Sequence, residues 1–294
     1  MNYRIRKIKE FLISKLILLC GMTSILIVLL IFIFLLKEGL SLFKTVSVKD
    51  FLLGKNWYPI SEPSQYGILP LIFGSLLVTL GASVISIPFG IGSAIYIAEI
   101  APKRTREFLK IGIELLAAIP SVIIGFIGMV TLSPLIKKVF HLSTGLTALT
   151  GAITLAFMAM PTIVSIAEDA ITAVPKQYRE AAIAMGATRW QTTRRIVAHA
   201  ARPGMIAALM LGIGRVIGET MAVMMVTGNA AFIPNSILQP VRTLTATIAA
   251  EMGETAQGSS HYAALFAIGI VLFIITFLIN GVADIYLHRT SKNI

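Results

Sequence analysis

Uncharged runs long enough to cross a bilayer dominate the chain. Residues 16–36 carry no charge over 21 positions and follow Arg4, Arg6, Lys7, Lys9 and Lys15. Residues 71–98 carry none over 28 positions. Further apolar stretches cover 111–136, with Glu114 and Pro120, and 142–167, with Pro161. Two more cover 203–227, with Arg215 and Glu219, and 262–283. A membrane-spanning helix needs about 20 apolar residues, and the alternating strands of about ten residues found in a barrel are absent. The pattern therefore predicts an all-α integral membrane protein of six transmembrane helices. The first run is longer than the roughly 7 to 15 apolar residues of a secretory signal and has no small-residue cleavage site, so it reads as an uncleaved anchor. A straight helix over 71–98 would reach about 42 Å, beyond the roughly 30 Å hydrocarbon core, so Pro88 and the glycines around it predict a kink or interruption.

Composition agrees. The chain has 294 residues, 56% hydrophobic and 13% charged, with a mean hydropathy of +0.85. That excludes a soluble enzyme, a disordered regulator and a nucleic-acid binder. The net charge of +11 is topological: 17 of the 25 basic residues fall on one side of the predicted bundle, and seven on the other. Because Lys and Arg in short loops resist translocation, both termini and residues 168–202 are expected to be cytoplasmic, facing anionic membrane lipid. Cys20 stands alone inside an apolar run, so an intramolecular disulfide is excluded. Two segments are expected: residues 1–70, an anchor helix with a polar outer stretch in which Trp57 and Tyr58 are interfacial anchors, and a bundle core over 71–294.

The 35-residue segment 168–202 has secondary structure of its own. Pro175 suits a helix start, and an Ala-rich stretch continues it to Gly186, which can adopt the left-handed conformation that ends a helix. Thr188 and Gln191 have capping-box spacing, so a second helix begins there. Small residues at 181 and 182 let a partner surface approach, while Glu180 offers it a charged hydrogen-bonding group. Glu180-Ala181-Ala182, three residues, Gly186, nine residues and Ile196 resemble the EAA loop of permease subunits of bacterial ABC importers. Ala198 and His199 stand where that family usually has Leu-Pro. The resemblance implies a MetI-like permease bundle whose loop docks on a separate ATPase subunit. The chain has no GxxxxGK[ST] loop to cradle ATP phosphates, so the energy source is expected on another polypeptide.

The resemblance narrows elsewhere. GSLLVTLGASVISIPFGIGSAIYIAEIAP (74–102), IELLAAIPSVIIGFIGM (113–129) and GIGRVIGETMAVMMVTGN (212–229) are similar to phosphate importer permeases of the Pst system. Residues 218–223, Gly228-Asn229 and 247–254 are closer to the PstC type than to its PstA partner. The resemblance implies a PstA-type second permease, a PstB-type ATPase and an extracytoplasmic PstS-type phosphate-binding protein, with no cofactor.

Arg215 and Glu219 supply an independent clue to an anion. Charges at membrane depth cost about 2.5 to 3.5 kcal/mol on insertion scales and face a bundle interior or a wet cavity. Spaced four residues apart, the two are expected on one helical face, with Glu219 neutralising Arg215 until an anion replaces it. Arg215, Glu219 and the adjoining Thr220 are the candidate pathway residues, against a static ion pair locking two helices. Glu180, Ala181, Ala182 and Gly186 are the candidate ATPase-coupling residues. Glu114 is expected to snorkel to the cytoplasmic interface. His199 and His261 stand isolated, and a metal site is not expected. A secondary carrier, a membrane-embedded enzyme, a PstA-type subunit or a permease for another oxyanion are the competing functions.

Overall fold

The computed structural model describes residues 3–291, with side chains at 7, 9–281 and 285. In chain order the helices are α1 (Tyr3–Leu40), α2 (Val48–Leu53), α3 (Leu69–Ile95), α4 (Lys103–Ala118), α5 (Ser121–Ile127), α6 (Ser133–Val139) and α7 (Ala148–Thr172). They continue as α8 (Lys176–Ala184), α9 (Arg189–Gln191), α10 (Ala198–Ala200), α11 (Arg202–Gly218), α12 (Met221–Val226), α13 (Leu244–Glu251) and α14 (Ser260–Ser291). Between α2 and α3, β1 (Trp57–Tyr58) and β2 (Gln65–Tyr66) pair antiparallel, Trp57 opposite Tyr66. Local chemistry sets many of these boundaries. Ser47, Thr147 and Thr243 accept backbone N–H groups at the starts of α2, α7 and α13, and α3, α6 and α11 carry proline in the first turn, where a missing N–H costs nothing.

Among the described residues, five helices are long and apolar enough to cross a membrane: Lys9–Lys44, Leu69–Ile100, Ser121–Val139, Ala148–Thr172 and Ser260–Gly281. A sixth passes only when Arg202–Gly218 is taken with Arg189–Ala200, to which it is bent by 70°. Several expected boundaries move. The stretch 111–136 divides at Ile119, which is extended before Pro120 as prolines require of the preceding residue, so the span begins at Ser121. Glu114 thereby leaves the span and lies exposed on α4. Pro88 does not interrupt α3, and the irregularity comes later, as a π turn over Tyr96–Ile100. Stretch 203–227 is broken at Glu219 and Thr220. Trp57, expected at an interface, is 2% exposed, whereas Tyr58 is exposed.

Helix α7 is the hub. Of its most apolar window 61% is buried, against none of that of α1, which packs along α14 at the edge. Helices α3 and α11 pack on either side of α7. Ile163 of α7 fits between Gly90 of α3 and Gly212 of α11, where added Cβ atoms would come within 2.7 and 2.4 Å of its side chain. Close packing of this kind supplies most of the attraction between helices in lipid, which is as apolar as leucine. One end of the bundle is closed by Ala94, Ile97, Ile171 and Val197, beside the 168–202 segment. The other is closed by Phe51, Trp57, Leu71 and Leu244.

Candidate functional site

The 168–202 segment forms a helix–turn–helix projection. The carbonyl of Ala182 accepts from Ala187 N at 3.1 Å and that of Ile183 from Gly186 N at 2.9 Å, with Gly186 at φ +86°, so α8 ends in the two-bond glycine cap that satisfies its last carbonyls. The next helix starts with the expected capping box: Thr188 Oγ1 accepts from Gln191 N at 3.3 Å, and Gln191 Oε1 accepts from Thr188 N at 2.9 Å. Glu180, Ala181 and Gly186 are exposed and Ala182 is half-buried. Between the two helices lies a groove of about 440 Å³ lined by Tyr178, Ala181, Ala182, Met185, Arg195 and Ile196, in which Met185 is 88% exposed. A mobile thioether at an uncovered apolar groove suits an adaptable protein contact.

Two ionic clusters at this end escaped the sequence reading. Arg179 donates through Nη2 to Glu99 Oε1 at 2.6 Å, through Nη1 to the carbonyl of Val174 at 2.6 Å and through Nη2 to that of Ile171 at 3.0 Å. Glu168, 2% exposed, receives Arg106 and, at 2.9 Å, Lys110, both from α4. Hydrogen bonds from Lys110 to Glu168 and then Asp169 raise the Lys110 pKa above its ordinary value. The clusters join positions about 60 to 80 residues apart, so spacing along the chain gave no signal. The one available hint was that Glu99 and Glu168 sit next to span ends.

Deep in the bundle, Arg215 is half-buried and donates through Nη1 to Thr162 Oγ1 of α7 at 3.1 Å. Counting from the start of α11, it lies about 20 Å along the axis. Among the described residues no carboxylate is in ion-pair reach of it, Glu219 included. The expected shared face requires the helix to continue, and it stops at Gly218: Glu219 is extended at φ −68° and ψ 133°. Its carboxylate instead accepts from Ala222 N at 3.3 Å, and its carbonyl from Thr245 Oγ1 at 2.8 Å. A free N–H of the following helix is thus a nearer partner than the guanidinium. Thr220 is half-buried with its hydroxyl on the carbonyl of Gly218 at 3.1 Å. Gly218, three residues past Arg215 and on the same helical face, has open space at its Cβ position.

Residues 86–292 match the family model of the binding-protein-dependent transport system inner membrane component. The chain is 42% identical over 261 residues to the probable ABC transporter permease protein YqgH of Bacillus subtilis, with 88% of this chain and 84% of the relative covered. It is 39% identical over 259 residues to the phosphate transport system permease protein PstC of Mesorhizobium japonicum, covering 82% and 78%. This chain is a binding-protein-dependent transport permease. A crystal structure of a bacterial ABC transporter involved in the import of the acidic polysaccharide alginate shares the permease fold at a TM-score of 0.66 and 17% identity, with 98% of this chain and 99% of that one covered. Membership sets aside the secondary carrier and the membrane enzyme.

The permease family match begins inside α3, and residues upstream are tied to it by a polar knot at the end opposite the 168–202 segment. Trp57 Nε1 donates to both carboxylate oxygens of Glu251 at 3.2 Å. Glu251 also pairs with Arg242 at 2.7 Å and with His261 Nε2 at 2.8 Å, so His261 is not isolated as expected. Among the described residues, no group of three metal-ligating side chains occurs.

Proposed function

We propose that this permease is the PstC-type subunit of an ATP-driven phosphate importer, forming the translocation pathway together with a PstA-type permease. The observation that carries the substrate is Arg215, a guanidinium at membrane depth with a neutral hydroxyl as its hydrogen-bond partner. The kinship to PstC supports it. A guanidinium holds an oxyanion bidentately and remains charged at any physiological pH. A PstS-type protein delivers phosphate at the end that carries Trp57 and Glu251. Phosphate then passes Arg215, with Glu219 and Thr220 at the helix break beside it, while Glu180, Ala181, Ala182 and Gly186 hold the PstB-type ATPase. Hydrolysis takes place on that separate chain, and both termini lie in the cytoplasm.

Uptake of radiolabelled phosphate by a deletion strain under phosphate limitation tests this. High-affinity uptake should disappear and return with the intact gene, and excess sulfate should not compete. Undiminished uptake in the deletion strain would remove phosphate as the substrate, and competition by sulfate would point to a broader oxyanion permease.

A further inference from the structure

Docking of an ATPase on α8 does nothing unless motion of α8 reaches the spans. Helix α8 itself has no buried residues. Among the described residues, Arg179 is the one side chain of α8 that hydrogen-bonds to a spanning helix or its end. Its contacts fan out to three places. Glu99 lies in the π turn that prolongs α3, Ile171 in the last turn of α7, and Val174 just past it. The Arg179 and Glu99 side chains are only 21% and 11% exposed, so water competes weakly for these bonds. A planar guanidinium with donors in a fixed fork transmits direction as well as attraction, which a lysine ammonium on a rotating stem does not.

We infer that Arg179 is the positioning residue that converts movement of the docked loop into movement of α3 and α7 together. The inference rests on the coupling role proposed for residues 180–186. Its consequence for the pathway follows from α7 itself. Thr162, the partner of Arg215, precedes Ile171 by nine residues, about 13 Å along one helix. A displacement imposed at the Ile171 carbonyl is carried along a hydrogen-bonded rod packed between α3 and α11. It therefore shifts Thr162 against Arg215. Arg179 touches neither nucleotide nor phosphate, and its effect is on the ratio of transport to hydrolysis.

The test uses the full importer, purified with its partner permease and ATPase and reconstituted in vesicles with the phosphate-binding protein. ATP hydrolysis and phosphate uptake are measured on the same preparation. In Arg179→Gln the ATPase should stay bound and hydrolyse ATP, while phosphate moved per ATP falls about tenfold, within the range of coupling free energies between distant sites. Arg179→Lys keeps the charge and one contact to Glu99, and should recover part of the ratio. Unchanged phosphate per ATP in Arg179→Gln overturns the inference. So does loss of assembly or of bound ATPase in that variant, because Arg179 would then be a structural or docking residue. Gly186→Val runs alongside and should shed the ATPase. If it retains the ATPase and full transport, the coupling role of the loop fails. If it sheds the ATPase while Arg179→Gln stays fully coupled, only the present inference fails.

Discussion

Arg215 reaches across to Thr162 of α7 at 3.1 Å and leaves Glu219, four residues on, to the backbone N–H of Ala222. The two charges therefore act separately, and single variants distinguish them. Arg215→Gln keeps a donor for Thr162 but loses the charge, and should assemble normally with phosphate uptake down by about tenfold or more, the scale of one charge-assisted bond. Glu219→Gln keeps an acceptor for Ala222 and leaves the Arg215–Thr162 bond in place, so it should assemble normally and lose clearly less uptake than Arg215→Gln. Normal uptake by Arg215→Gln would refute the pathway assignment.

Gly186 has a φ of +86° and nothing within 4 Å of where a Cβ would sit, so substitutions there are penalised by backbone conformation alone. Asn, which tolerates the left-handed region, should retain most ATPase association. Ala should lose about 1 kcal/mol and the β-branched Val more. The order Asn, Ala, Val in co-purified ATPase checks this. A flat response would mean that the turn geometry does not matter for docking.

Gly212 and Gly214 lie two residues apart on α11 but meet different surroundings. A Cβ at 212 would fall 2.4 Å from Ile163 Cγ1, whereas none of the surroundings lies within 4 Å at 214. Gly212→Ala should destabilise by about 1 to 3 kcal/mol through overpacking. Gly214→Ala should be neutral or stabilise by up to about 1 kcal/mol through helix propensity. Thermal unfolding in detergent compares them, and equal melting temperatures would contradict the packing described around Ile163.

Glu251 neutralises Arg242 while both side chains are 17% exposed. Glu251→Gln should strand the arginine and lower stability by about 3 kcal/mol. It should also loosen the Trp57 indole, which donates to both carboxylate oxygens. A blue-to-red shift of tryptophan emission on substitution, measured with Trp190→Phe as background, reports the second effect. An unchanged spectrum and melting temperature would show that the knot contributes little.

Trp190 is 60% exposed on the projecting loop. With Cys20 replaced by serine, Trp190→Cys should resist a membrane-impermeant thiol reagent in intact cells and react after permeabilisation. Labelling of intact cells would invert the proposed topology.

The membrane class was legible in the chain because a bilayer imposes one crude demand, about 20 apolar residues per crossing. The shape of the 168–202 loop was legible too. Its cap at Gly186 and its capping box at Thr188 and Gln191 close within a few residues, so local chemistry decides them. Tertiary structure decided what distance along the chain conceals. Pro88 left α3 intact because its ring lies on the exposed side of the helix and removes a single donor from 27 residues of helical backbone. Glu219 misses Arg215 because α11 ends at Gly218, which takes the carboxylate off the shared face and leaves it to the first turn of α12. Arg179 found Glu99 only once α3, α7 and α8 converged, since a pairing across 80 residues has no periodicity to betray it.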